Sequence, residues 1–269
     1  MFDIIFMSYE EPNADKHWDL VKKKFPWARR SHGVKGLPTA HQACAKMART
    51  EMYYVVEGDN HITEDFDPSF KPDKYGKDAV YVYRARNSVN DLVYGYSGIK
   101  LFPTQKVLDV DVETVVDFTT AISTKFVPYP VVGSIVHYDT DPFNTWKAAF
   151  RECTKLTSKI IPGQKNDEDD ARLKVWTTVG NGLYGDYSTA GARAGAEYGK
   201  NNNDYTNINN WEWLKERFEQ KTQQSIQNNI IFKESFCVND FKSEYNSYKG
   251  NAYGMAMTLL QTAFLRPKL

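Results

Sequence analysis

Apolar runs and polar breaks alternate through the first hundred residues and predict a regular series of strands and helices. Asp3 to Ser8 (DIIFMS) reads as a buried strand, closed by Tyr9, Glu10, Glu11 and Pro12. Trp18, Val21 and Phe25 recur at helical spacing, which predicts a helix capped by Asn13 and stopped by Pro26. Arg29 to Lys35 predicts a short strand. Pro38 to Arg49 predicts a second helix with Ala40, Ala43, Cys44 and Met47 on its inner face. Tyr53 to Val56 is an unbroken run of β-formers, the pattern of a parallel strand covered on both faces. Two β-α steps in succession imply a doubly wound, mostly parallel α/β sheet beginning at residue 1.

Further on, Ala79 to Arg84 predicts another strand and Asn87 to Pro103 a bulged strand pair. A Val-rich strand precedes His137, and Trp146 to Lys159 is an amphipathic helix. Gln164 to Arg172 reads as an acidic loop. The small-residue run YSTAGARAGAEYG reads as a closely packed helix, and Trp211 to Gln220 as a short one after a polar run. A domain boundary is expected just after it, making 1–220 one domain and 221–269 a helical appendage.

Composition narrows the class. A chain of 269 residues with 14% aromatic content can bury a sizeable core. The formal net charge is zero, which removes any whole-chain argument for nucleic acid. Cys44, Cys153 and Cys237 are odd in number and widely spaced, so neither a disulfide framework nor a zinc motif is indicated, and a reducing cytoplasm fits best. The opening MFDIIFMSYEEP has an acid at position 3 and only a short apolar run, so it reads as a strand rather than a leader or a membrane span. The turn after it, SYEEPN, has no G-x-G-x-x-G or G-K-[ST], which excludes a Rossmann fingerprint and a P-loop there.

Candidate chemistry gathers where the Tyr53 to Val56 run stops, at Glu57-Gly58-Asp59. In open α/β sheets ligands bind outside the carboxyl ends of strands, and two carboxylates on a tight turn there suit Mg²⁺ or Mn²⁺. An ordinary turn with solvated charges is the competing reading. His137 is placed to complete a metal site begun by Asp59. Tyr94-Gly95-Tyr96-Ser97-Gly98 offers close backbone approach beside aromatic and hydroxyl groups, a wall suited to a saccharide or nucleobase, or simply a bulge. Asp117 stands among Val115, Val116 and Phe118, a setting for a partly buried, functional carboxylate. From Lys16 to Arg49 nine basic residues face one acid, either a solvated helix face or a patch that meets phosphates.

The segments FMSYEEPNAD, HGVKG, YYVVEGDNHITEDFD, NSVNDLVYGYSGIKLFP, DPFNTWKAAFRE and AGARAGAEYG together resemble glycosyltransferase-like proteins of tailed bacteriophages, of GT-A type. That resemblance covers about residues 1–220. It implies a nucleotide-sugar donor, such as a UDP-sugar, met by Ser8, Tyr9, Glu11, Lys35, Glu57, Gly58 and Asp59. It also implies a divalent metal, Mn²⁺ or Mg²⁺, on Asp59, Glu57 and His137; the usual first acid is Asp, so Glu57 departs from the pattern. Departure of the nucleoside diphosphate builds charge that a metal and basic side chains stabilise, and an acceptor hydroxyl attacks an oxocarbenium-like carbon. An inverting enzyme needs a carboxylate base, Asp117 first and Glu113 second. The implied acceptor, bound near Tyr94, Gly95, Tyr96, Ser97 and Gly98, is a 5-hydroxymethylpyrimidine in phage DNA, in the host cytoplasm. A surface glycan, a virion protein, or a module that binds sugar nucleotide without turnover are the alternatives.

Ile230 to Lys268 instead resembles a segment near the C-terminus of bacterial phytoene desaturases. That family opens on a G-x-G-x-x-G strand-turn-helix and carries a glycine-rich flavin segment, both absent here, so an FAD desaturase is not implied. The tail is expected to form a helix with Tyr253, Met257, Leu260 and Phe264 near one apolar face.

Overall fold

A computed structural model describes residues 1–95, 98–112, 118–123, 125–160 and 166–220. The expected tail helix at 221–269 and the boundary before it lie outside the described residues. The chain divides into two compact units. The first is built from Met1–Ser88 and Tyr94–Thr140; the second takes Val89–Val93, Asp141–Ser158 and the described residues from 166 to 220.

The first unit opens as the apolar pattern predicts: β1 (Asp3–Ser8), α1 (Ala14–Lys24), β2 (Arg29–His32), α2 (Leu37–Met47) and β3 (Met52–Glu57). Asn13 stands at the N-cap of α1 but makes no side-chain cap bond, contrary to expectation. Then follow β4 (Asn60–Ile62), β5 (Val80–Asn87), the two-residue β6 (Val93–Tyr94), β7 (Ile99–Pro103), α3 (Thr104–Leu108), α4 (Phe118–Ile122) and β8 (Phe126–Val136). The sheet runs β2-β1-β3-β7-β5-β8-β4, with β6 off this path.

The sheet is α/β and flanked by helices as expected, and it combines parallel with antiparallel pairs. β1 pairs in parallel with β2 and β3, and β5 with β8. β7 instead inserts antiparallel between β3 and β5, and β4 pairs antiparallel with β8. Parallel neighbours need a crossover, usually a helix. None joins β5 to β7 or β3 to β4, so those strands return in the opposite sense.

β3 is the centre of this unit. Met52 to Val56 are all fully buried. Tyr54 and Val56 pack in one apolar cluster with Ile4 and Phe6 of β1 and with Ala14 and Val21 of α1. Tyr53 and Val55 pack in the opposite cluster with Ile5, Met7 and, from α2, Ala40, Cys44 and Ala45. Alternate side chains thus meet helices on opposite faces, and each full burial of this kind contributes about 1.5–3 kcal/mol.

The second unit is helical: α5 (Pro142–Ser158), α6 (Asn166–Thr178), α7 (Gly185–Asn201) and a helix over residues 211–220. The stretch expected as an acidic loop is largely α6. Asp167, Glu168 and Asp169 fill its first turn, where carboxylates offset the positive end of the helix dipole, and Arg172 pairs with Glu168 and Asp169 one turn on. The small-residue helix is α7, and its glycines explain its packing. A Cβ on Gly191 would meet the Trp146 carbonyl oxygen at 2.2 Å, one on Gly195 the Phe150 oxygen at 2.2 Å, and one on Gly199 the Thr154 oxygen at 2.7 Å.

Gly195→Ala therefore tests this packing with a reversed sign. In a free helix interior the change stabilises by about 1 kcal/mol. Against the α5 backbone it is expected to destabilise by about 1–3 kcal/mol in urea unfolding. A variant more stable than wild type would show that α5 and α7 do not pack this closely.

Candidate functional site

The carboxyl ends of β1, β2 and β3 lie side by side, because Met7 pairs with Glu57 and Ser8 with His32. From β1 the chain passes through α1 to β2 on one side, and from β2 through α2 to β3 on the other, with α1 and α2 on opposite faces. The turns after β1 and β3 therefore border a topological switch point, where open α/β sheets take their ligands.

Ser8, Tyr9, Glu11, Glu57, Gly58 and Asp59 come together there. The Tyr9 N–H donates to Glu11 Oε2 at 2.7 Å, folding that carboxylate back over the turn. A Cβ on Gly58 would meet Glu11 Oε2 at 2.7 Å and Ser8 Cβ at 3.0 Å, so a side chain there would displace the folded-back Glu11 carboxylate. Ser8 Oγ accepts from Arg30 Nε at 3.0 Å and stands 3.0 Å from His32 Nδ1. Lys35 is exposed on the loop after β2.

Electrostatics set this turn apart from a solvated one. Burial, then the neighbouring charges of Glu57 and Glu11, push the Asp59 carboxyl up to about 7, against the opposing pull of Lys100 and Asn60. Glu57 is held by Lys100, a nearly buried ammonium on β7. The register explains the pair: Lys100 lies opposite Val55, and Glu57 is two residues further on the same face. Below them His41 is buried and stacked on Phe118 at 4.4 Å, and burial holds it neutral by lowering its pKa to about 3.

His137 reaches this region by a different route from the expected one. Its backbone N–H donates to the Asp59 carbonyl at 2.7 Å, so the two residues are neighbours. Its ring, however, stands with those of His17 and His61, 5.8 and 6.3 Å away between centroids. Its Nδ1 is 3.7 Å from Asp139 Oδ1.

A divalent metal can be judged on donor chemistry. Among the described residues no three His, Cys, Asp or Glu side chains are grouped as a ready ligand set. Asp59 fits a hard cation, because burial first and the charges of Glu57 and Glu11 second oppose its ionisation, and an added positive charge offsets both. Glu57 would first have to exchange Lys100.

On the acceptor side the glycines approach protein. A Cβ on Gly95 would meet Val82 Cγ1 at 3.2 Å, and one on Gly98, at φ +91°, would meet Ser134 Oγ at 2.6 Å and Asn60 Oδ1 at 2.8 Å. Tyr94 is buried. Tyr96, Ser97 and the candidate bases Glu113 and Asp117 lie outside the described residues. The basic run is partly consumed locally: Arg29 pairs with Asp3, Arg30 with Asp15, and Lys22 and Lys24 donate to backbone carbonyls.

Sequence reasoning missed Lys100, His17 and His61. His17 was within reach, since it precedes Val21 and Phe25 at steps of four on the buried face of α1. His61 follows Asp59 by two, which in a strand means the same face.

No family model matches the chain. A stretch of 42 residues, 16% of the chain, is 45% identical to the carotenoid 3,4-desaturase of Haloarcula japonica, the family type that the tail resembles. The match spans only 8% of that protein's length. The chain is also similar to the crystal structure of HddC from Yersinia pseudotuberculosis, at 17% identity and a TM-score of 0.31 over 49% of this chain and 70% of that one. At that TM-score the similarity carries no argument. No helix among the described residues is long and apolar enough to cross a membrane.

Asp59 gives the site a pH signature. Its folded pKa is raised above the unfolded value of about 3.9, so the folded state holds the proton more tightly. Its contribution to stability is greatest below about pH 4 and is lost as pH rises through about 7. Asp59→Asn is expected to melt higher than wild type at about pH 8, with the gap closing towards about pH 4. A gap independent of pH would show that the carboxyl is not perturbed.

Proposed function

We propose that the protein is a glycosyltransferase that binds a nucleoside-diphosphate sugar at the carboxyl ends of β1 and β3 and moves the sugar to a hydroxyl acceptor. The observation that carries this reading is the Glu57-Gly58-Asp59 turn, held against Glu11 and Ser8 at the switch point of the sheet. The resemblance of its segments to GT-A type phage proteins supports the same assignment.

In this reading Ser8, Arg30 and His32 offer hydrogen bonds to the nucleotide from the ends of β1 and β2. Gly58 keeps the floor of the crevice open, and Lys100 pairs with Glu57 beside Asp59. Asp59, with Glu11 beside it, would hold a Mg²⁺ or Mn²⁺ ion, which would neutralise charge on the leaving diphosphate. Asp117, or else Glu113, is the proposed base for the acceptor hydroxyl. The acceptor favoured by the phage resemblance is a 5-hydroxymethylpyrimidine in DNA; the local engagement of Arg29, Arg30, Lys22 and Lys24 leaves a smaller basic surface for it than the sequence count suggests.

The test is nucleotide release from a panel of UDP-sugars with Mn²⁺, with and without hydroxymethylcytosine-containing DNA. Release from one donor that rises with this DNA, and falls about 100-fold or more in folded Asp59→Asn, is expected. Release indifferent to the DNA moves the acceptor to a glycan or protein. Equal turnover in Asp59→Asn and in excess chelator would overturn the metal-assisted site, and donor binding with no release would make the protein a binding module.

A further inference from the structure

The apolar face that α2 covers stops at charged residues on adjacent strands. On β3, Tyr53 and Val55 are followed by Glu57; on β5, Val80 and Val82 are followed by Arg84 and Arg86, at the step of two that keeps a strand on one face. On β7, which lies between them, Lys100 stands opposite both Val55 and Val82. The alternation on β5 is strict here: Arg84 is half-buried and Arg86 exposed, while Tyr83, Ala85 and Asn87 are buried. The register with β8 is irregular at this point, since Tyr83 pairs with Tyr129 but Arg84 with Val132. The extra residues are therefore on β8, and β5 runs on unbroken.

These charges do not cancel. Glu57 is taken by Lys100. Beyond the end of β5, Asp139 is engaged by Ser88 Oγ at 2.7 Å and faces His137 Nδ1 at 3.7 Å. Arg84 and Arg86 have neither an ion pair nor a hydrogen bond among the described residues. A guanidinium presents five donors in a planar fork that matches phosphate oxygens, and it stays charged at any working pH.

Placement ties the pair to the crevice. β3 and β5 are each antiparallel to β7, so they run parallel to one another and their carboxyl ends open to the same side. Glu57 and Arg84 lie one step of two beyond the row Val55-Lys100-Val82, separated by two strand spacings, about 9.5 Å. The two arginines are about 6.6 Å apart along their strand, close enough for long side chains to converge on one group.

We propose that Arg84 and Arg86 form a phosphate-binding site at the carboxyl end of β5. The distance from Glu57-Gly58-Asp59 leaves room for a transferred sugar between the two groups of charges, so the phosphate is a phosphodiester of the acceptor rather than the diphosphate of the donor. That choice of source rests on the glycosyltransferase reading; the phosphate chemistry does not. Phosphate contacts position a nucleic acid without reading its sequence, so the pair sets where the acceptor strand lies and leaves the choice of base to other groups.

The test uses the full chain and reads binding without turnover: fluorescence anisotropy with an end-labelled hydroxymethylcytosine oligonucleotide, and calorimetry with UDP-glucose. Arg84→Gln/Arg86→Gln is expected to weaken oligonucleotide binding about 10- to 100-fold and to lower the slope of log K against log salt by about 1. The UDP-glucose affinity and the urea midpoint should stay as in wild type. Arg84→Lys/Arg86→Lys, which keeps the charge, should restore the salt slope. Loss of UDP-glucose affinity with oligonucleotide binding intact would support the phosphate site and assign it to the donor. Unchanged affinity for both probes, or no binding of either by wild type, would overturn it and leave two solvated arginines. A chain that binds a probe through this pair but releases no nucleotide from any donor fails the glycosyltransferase reading alone.

Discussion

A strand buried on both faces has to end abruptly if it is to present polar groups to solvent, and β3 imposes that constraint on the first unit. Met52 to Val56 are closed off by α1 on one side and α2 on the other. Glu57 is the first acidic residue after the apolar run, and its carboxylate is paired with the Lys100 ammonium on β7. Removing one partner of such a pair leaves an uncompensated charge in low dielectric, which typically costs about 3–5 kcal/mol. The insertion of β7 antiparallel to β3 thus has an electrostatic role as well as a packing one. It brings the cation that allows a carboxylate at the end of a dry strand.

From that pair the rest of the site follows. Glu57 and the folded-back Glu11 bracket Gly58, and the next carboxyl, Asp59, is the one whose ionisation the crowding opposes. Lys100 is already engaged, so further negative charge in this crevice calls for a further cation. The neighbouring histidine triangle is connected to the turn by one bond, from His17 to the Gly58 carbonyl.

The legible part of the sequence was the part in which one periodicity dominated. The β1-α1-β2-α2-β3 order, the two-sided burial of β3 and the close packing of α7 could all be read from apolar spacing and small residues. The sense of β7 could not, because antiparallel insertion depends on which strand edge is open, and a strand's own residues do not record it. The α6 stretch misled for a related reason: its acids look like loop, and only their place in a first turn ahead of Arg172 makes them helix-stabilising. Within the site, Asp59 and its turn were legible from position alone. Lys100 was hidden in an apolar strand, and His17 and His61 acquire meaning only when α1 and β4 are brought beside His137.

Asp59 is held in a buried, crowded crevice that favours a cation. The most direct measurement is a ¹³C NMR titration of its side-chain carboxyl, with and without Mg²⁺, assigned by Asp59→Asn. A midpoint well above the ordinary Asp value of about 3.9, up to about 7, that moves down when Mg²⁺ is added is the expected result. A midpoint at the ordinary value, unmoved by Mg²⁺, would contradict it and reduce Glu57-Gly58-Asp59 to a solvated turn.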